Sequence, residues 1–172
     1  MSHILRKTVI ASVIGFSSMI RAQFALPTFQ AAQARPNIVY SNFALDFDGV
    51  NDYVSTGGSN VGKPCTVEAW TKKTSNSGHG TLLSGGSYRV RLDQWSTSNK
   101  VGFTKTGSYD ASFNKSTTLN EWVHVAIVFT SDSSTLFING AYHSKHNQTN
   151  FNLPTSSIGT GGSSTITATI DE

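Results

Sequence analysis

The chain carries ten Asp and Glu among 172 residues, and their spacing decides whether hydrolytic chemistry is open to it. Glycoside hydrolysis needs two carboxyl groups about 5–5.5 Å apart for retention, or about 6.5–9.5 Å for inversion. On an extended strand, that means acids at i and i+2 or i+4 on one face. Glu68, Asp93 and Glu121 have no acidic neighbour at those spacings. Asp46 and Asp48 are two apart but run into an Asp48-Gly49 turn. The expectation is a chain without paired catalytic carboxylates, not an enzyme.

Other reactive types point the same way. His124 has no second histidine near it in sequence, since His143 and His146 fall on later segments, so it reads as a sheet histidine bonded locally. The single cysteine, Cys65, excludes an internal disulfide and a thiolate zinc site, and it opens an apolar strand where a small hydrophobe fits. No Gly-x-Ser-x-Gly elbow and no phosphate loop occur. Gly159-Thr160-Gly161-Gly162 lacks the lysine and the strand–turn–helix context, so it reads as a loop. Two aromatic residues are candidates for binding instead. Trp95 and Tyr109 lie in polar, Ser-rich segments rather than in apolar strands. An aromatic face on a loop can stack on a sugar ring, whereas the bland alternative is a ring that caps the core.

The elements that must position these residues are strands. Charged residues make up only 13% of the chain, and Ser, Thr, Asn and Gly fill the gap, a turn-rich composition. After residue 35 no apolar pattern keeps a helical period for three turns. Trp122-Val123-His124-Val125-Ala126-Ile127-Val128-Phe129 puts Val123, Val125, Ile127 and Phe129 on one face at period two, with further apolar residues on the other. Such a strand belongs in the middle of a sandwich. Thr135–Ile138 follows, and then Asn139-Gly140, whose residues both tolerate the positive φ of a tight hairpin. Thr66–Thr71 is another strand. Thr81–Ser84 and Tyr88–Leu92 flank a Gly85-Gly86-Ser87 hairpin, and Lys72 to Gly80 reads as a polar loop. Val67, Ala69, Val125, Ile127 and Phe129 are the expected core.

The amino end differs. Arg6 and Lys7 precede an apolar run from Thr8 to Ile20, a basic region followed by a core of export-signal length and too short to span a membrane. Residues 1–34 are expected to be an export leader, with a mitochondrial-type presequence as the alternative, and 35–42 a linker. Three of the thirteen Lys and Arg, namely Arg6, Lys7 and Arg21, precede residue 35, and no acid precedes Asp46. The remainder therefore carries ten charges of each sign, which gives no electrostatic reason to expect nucleic acid as a partner. No later run is long enough to cross a membrane as a helix.

Four segments carry a family resemblance. Ala44-Leu45-Asp46-Phe47-Asp48-Gly49-Val50-Asn51-Asp52-Tyr53-Val54 resembles the opening motif of laminin-G-like jelly-roll domains. Thr66-Val67-Glu68-Ala69-Trp70 is similar to their second core strand. Trp122–Ala126 with Leu136–Gly140 is similar to their central hairpin. Ile170-Asp171-Glu172 resembles the start of their last strand. The resemblance spans Phe43 to Glu172 and implies an all-β fold, a two-sheet antiparallel jelly-roll sandwich of the concanavalin A-like lectin/glucanase type. Members continue past the Ile-Asp-Glu segment, so the expectation is a domain over 43–172 missing its final strand, with further domains beyond.

The Glu-x-Asp-x-x-Glu strand of laminarinase-like relatives is absent here. The family spans adhesion modules, sugar-binding modules and accessory domains of secreted enzymes, so fold alone does not choose among them. The leading expectation is a secreted or cell-surface recognition module for a glycan or an extracellular protein ligand. The alternatives are a spacer domain without a ligand, or a fragment of a secreted glycoside hydrolase with its catalytic residues beyond the end. The resemblance also implies a structural calcium ion where the first and last strands meet, with Asp171 as a ligand, the Asp48-Gly49 turn beside it and Asp52 as a second carboxylate. The alternative is that Asp48 and Asp52 only organise a turn.

Overall fold

The computed structural model describes residues 44–76, 79–94, 99–148, 150–160 and 165–171. The leader and linker expected over residues 1–42 lie outside them, and so does Trp95.

Twelve strands make up the regular structure of the described residues, without a helix: β1 (Leu45–Asp48), β2 (Val54–Ser55), β3 (Cys65–Lys73), β4 (Thr81–Gly85), β5 (Tyr88–Arg91), β6 (Gly102–Lys105), β7 (Tyr109–Ser112), β8 (Val123–Phe129), β9 (Ser134–Ile138), β10 (Ala141–His146), β11 (Ser157–Ile158) and β12 (Thr167–Asp171). They form two six-stranded antiparallel sheets. Sheet A runs β1-β12-β3-β8-β9-β10 and sheet B runs β2-β11-β4-β5-β6-β7. This is the expected jelly-roll sandwich. β12 lies inside sheet A, with Ile170 opposite Leu45 on one side and Thr71 on the other.

Alternation sets the core. Val123, Val125, Ile127 and Phe129 of β8 are all buried on one row, and β3 presents Val67 and Ala69 beside them. Removing each such side chain from water is worth about 1.5–3 kcal/mol. All five expected core residues are buried. The two layers meet at a cluster of rings: Phe103 of sheet B stands edge-on to Phe129 of sheet A at 5.2 Å, and Phe151 stacks on Phe129 at 4.7 Å. The Asn139-Gly140 turn has the expected geometry, with φ of 50° and 76°, and Asn139 Oδ1 also accepts the His124 N–H at 2.9 Å.

Two expectations need correction. Lys72 and Lys73 belong to β3, not to a loop, because the inward row Val67, Ala69, Thr71 runs on to Lys73. The Lys73 side chain stays in the interior, 1% exposed, because its ammonium meets the equally buried Asp93 carboxylate at 2.5 Å. Tyr109 begins a strand and does not sit on a loop. Its ring packs edge-on to Phe103, with centroids 6.2 Å apart, and its hydroxyl donates to the Asn150 carbonyl at 2.7 Å. Tyr109 is partly buried against the core from this strand. Its polar neighbours Ser108 and Asp110 hid that role, because they occupy a turn and the opposite face of the same strand.

Candidate functional site

The outer face of sheet B follows from its inner one. Leu83, Val90, Phe103 and Ala111 are opposite one another on β4 to β7 and all pack into the core. The rows on either side must therefore point outward. One outward row is Ser84, Arg89, Thr104 and Asp110, and the next is Thr81, Arg91, Gly102 and Ser112. With strands about 4.8 Å apart, these rows cover about 14 Å across the sheet.

The face is polar and well organised. Gln94 lies over Gly102, where a side chain on the glycine would stand 2.8 Å from the Gln94 amide nitrogen. That nitrogen donates to the carbonyls of Phe103 at 3.1 Å and Ala111 at 2.9 Å. The Thr104 hydroxyl lies 2.9 Å from Gln94 Oε1 and 2.7 Å from Asp110 Oδ1. A hydroxyl has one proton, so it serves one of these acceptors at a time. Gln94 is fully buried, so Asp110, exposed on β7, is the acceptor that faces solvent.

Two guanidinium groups complete the face. Arg89 donates to the carbonyls of Gly86 and Tyr88, both at 2.8 Å. Arg91 is 7% exposed, and its Nη1 approaches the His79 carbonyl at 3.4 Å. Arg91 Nε is buried without a hydrogen-bond partner. Burial pushes the Arg91 guanidinium below its ordinary range; Asp110 opposes this and the neighbouring Arg89 adds to it. Sequence reasoning missed these residues. The signal was the alternation Tyr88-Arg89-Val90-Arg91-Leu92, which sets two bases on the face opposite an apolar row.

The three carboxylates expected to hold calcium are not brought together. Asp48 is opposite Thr167 in the β1–β12 ladder, whereas Asp171 follows Ile170 at the other end of β12. Four residues of rise separate Thr167 from Asp171, about 13 Å. Asp48 Oδ1 accepts the Val50 N–H at 2.7 Å, and Asp52 Oδ2 accepts the Asp48 N–H at 3.1 Å. These two acids close the turn. Among the described residues, no three His, Cys, Asp or Glu cluster as a metal site.

On the outer face of sheet A, His124 lies against the Trp70 ring at 5.3 Å, with its Nε2 3.5 Å from Glu68 Oε2. This is the local bonding expected of a sheet histidine.

The model of the concanavalin A-like lectin/glucanases superfamily matches residues 48–172. The chain belongs to that superfamily. No curated protein matches it. Among solved structures, this superfamily member is similar to a candidate carbohydrate-binding protein from Bacteroides ovatus ATCC 8483, with 12% identity and a TM-score of 0.53 over 74% of this chain and 43% of that one. It is also similar to domain 4 of an extracellular arabinanase from Geobacillus stearothermophilus, solved with arabinotriose, with 16% identity and a TM-score of 0.47 over 74% of this chain and 62% of that one. A pentraxin from Limulus polyphemus is similar at 12% identity with a TM-score of 0.49, over 74% and 72% of the two chains. The chain thus spans less than two thirds of the arabinanase domain and of the Bacteroides protein. These likenesses concern the fold. No helix of the described residues is long and apolar enough to cross a membrane.

Proposed function

We propose that this chain is a non-catalytic, secreted carbohydrate-recognition module that binds glycan on the outer face of β4 to β7. The observation that carries the proposal is the exposed Asp110 carboxylate, held by the Thr104 hydroxyl at 2.7 Å on a rigid sheet. Sugars are recognised by side chains that both donate and accept beside a bound hydroxyl, and rigid elements hold such groups better than loops. The same face argues against hydrolysis. Asp110 shares its outward row with Ser84, Arg89 and Thr104, so no second carboxylate stands beside it in that row at the spacing a glycosidase needs. Superfamily membership and the similarity to a candidate carbohydrate-binding protein support the same reading.

A glycan array probed with the labelled chain, alongside Thr104→Val, tests it. Binding to at least one glycan class, lost or strongly weakened in the variant, is the expected result. Unchanged binding by Thr104→Val would move the site elsewhere.

A further inference from the structure

We infer that the outer face of sheet A is a second carbohydrate site, in which the exposed indole of Trp70 stacks on the apolar face of a neutral pyranose while Glu68 and His124 bond its equatorial hydroxyls. Sheet A is the other layer of the sandwich, so this site stands apart from the face of β4 to β7 and does not rest on that reading.

Alternation gathers aromatic rings on this face. Val67, Ala69, Val125, Ile127 and Leu136 are buried in the core, so the residues between them point outward. One outward row is Glu68, Ala126, Phe137 and Tyr142, and the next holds Trp70 and His124. The Trp70 and His124 rings are 5.3 Å apart, and the Phe137 and Tyr142 rings 6.2 Å. The small Ala126 lies among them and leaves a shallow floor. Trp70 is 42% exposed and Tyr142 65%. Trp122, 43% exposed, precedes the buried Val123 and so falls on the same side. Tryptophan is highly buried on average, and exposed apolar side chains gathered on one face mark a contact surface.

The chemistry beside the rings selects the ligand. His124 Nε2 stands 3.5 Å from Glu68 Oε2, and Glu68 is mostly exposed. A carboxylate acceptor and an imidazole thus flank the Trp70 ring. A pyranose with equatorial hydroxyls matches this arrangement, because C–H bonds form its two flat faces and hydroxyls form its rim. The C–H face meets the negative face of the indole, and the rim reaches the polar pair. A purely apolar partner would strip water from Glu68 without replacing its hydrogen bonds.

Size excludes a protein partner. From Trp70 on β3 to Tyr142 on β10 the patch crosses three strand spacings, about 14 Å. From the row of Glu68 and Ala126 to Trp122 it runs about 13 Å along the strands. That footprint of about 200 Å² is far below the roughly 800 Å² per partner of a standard interface. It suits a short oligosaccharide laid across the strands from Trp70 to Tyr142.

Xylopentaose and cellopentaose, whose sugars carry equatorial hydroxyls throughout, are the probes. Calorimetry and tryptophan fluorescence should show binding of at least one of them by the parent chain. Trp70→Ala should weaken that binding about tenfold or more through lost stacking and lost apolar contact, with a thermal midpoint near that of the parent. Glu68→Ala, at an exposed position, should also weaken it, and keeps the test intact where Trp70→Ala folds poorly. Thr104→Val should leave it unchanged. Binding of neither pentaose overturns this site, and so does equal binding by the parent and either Trp70→Ala or Glu68→Ala. Pentaose binding lost in Thr104→Val and kept in Trp70→Ala overturns it too, and assigns the sugar to the face of β4 to β7. Dimerisation seen by sedimentation in the parent and abolished by Trp70→Ala makes the patch an interface between copies of this chain and overturns the carbohydrate reading.

Discussion

The Lys73 ammonium and the Asp93 carboxylate meet at 2.5 Å, each about 1% exposed, and join the end of β3 in one sheet to the segment after β5 in the other. A buried pair of this kind is costly to break from one side, because the survivor keeps an uncompensated charge. Lys73→Met should therefore lower the unfolding free energy by about 3–5 kcal/mol. Lys73→Met combined with Asp93→Leu should recover much of that loss. Chemical denaturation of the two single variants and the double gives the coupling. Simple additivity would mean that the two charges do not act as a pair.

Gly102→Ala should destabilise the fold and disturb the proposed binding face together. Its new methyl group would run into the Ala111 carbonyl and stand 2.8 Å from the Gln94 amide. Overpacking of this kind costs about 1–3 kcal/mol. Urea unfolding measures the first effect, and glycan affinity measured well below the unfolding midpoint measures the second. An alanine tolerated without any loss of stability would show that Gln94 is not seated as described.

Asn139→Ala should cost about 1–3 kcal/mol, because it puts a Cβ-bearing residue without a side-chain acceptor at positive φ. It also removes the acceptor of the His124 N–H. Asn139→Gly keeps the backbone freedom and loses only the hydrogen bond, so it should be the milder change. Denaturation midpoints for the two variants settle the order, and the reverse order would contradict the turn geometry.

Stability should fall in alkali through Tyr109. Burial pushes its hydroxyl well above the ordinary tyrosine value of 10.0, with Tyr88 adding to the effect. The folded chain therefore holds this proton where the unfolded chain has lost it. The contribution is fully present below pH 10 and declines as the pH rises beyond it. Tyr109→Phe should show a smaller loss of stability than the parent between about pH 9 and about pH 11. Equal losses in the two proteins would place the alkaline sensitivity elsewhere.

Calcium provides a separate check on the register of β1 and β12. Asp171 stands at the far end of that ladder from Asp48, so Asp171→Asn should leave any calcium-dependent change in thermal midpoint as it is in the parent. A calcium shift abolished by Asp171→Asn would mean that the ends of the two strands come together in a way this register does not allow.

The sandwich was legible because its signals are local. Val123 to Phe129 alternate without interruption, and Asn139-Gly140 is a turn whose backbone needs are written in two residues. The candidate site was not legible in the same way. Arg89, Thr104 and Asp110 meet only because three strands pair in a particular register, and nothing within any one segment encodes that register. Gln94 lies just past β5 and acts on β6 and β7. Tyr109 misled for the opposite reason. Its polar neighbours suggested a loop, while the residue facing its ring, Phe103, was a strand away. The residues of the calcium expectation lie at opposite ends of the β1–β12 ladder because likeness of motif supplies residue types but not their separation along a strand.

The seating of Gln94 over Gly102 has a consequence for the history of the sequence. Position 102 can gain no side chain while position 94 keeps its long amide, and position 94 loses its seat once position 102 is filled. Substitutions there should be inherited as a couple. Relatives in which one has changed alone should be those in which the outer face of this sheet has given up its role.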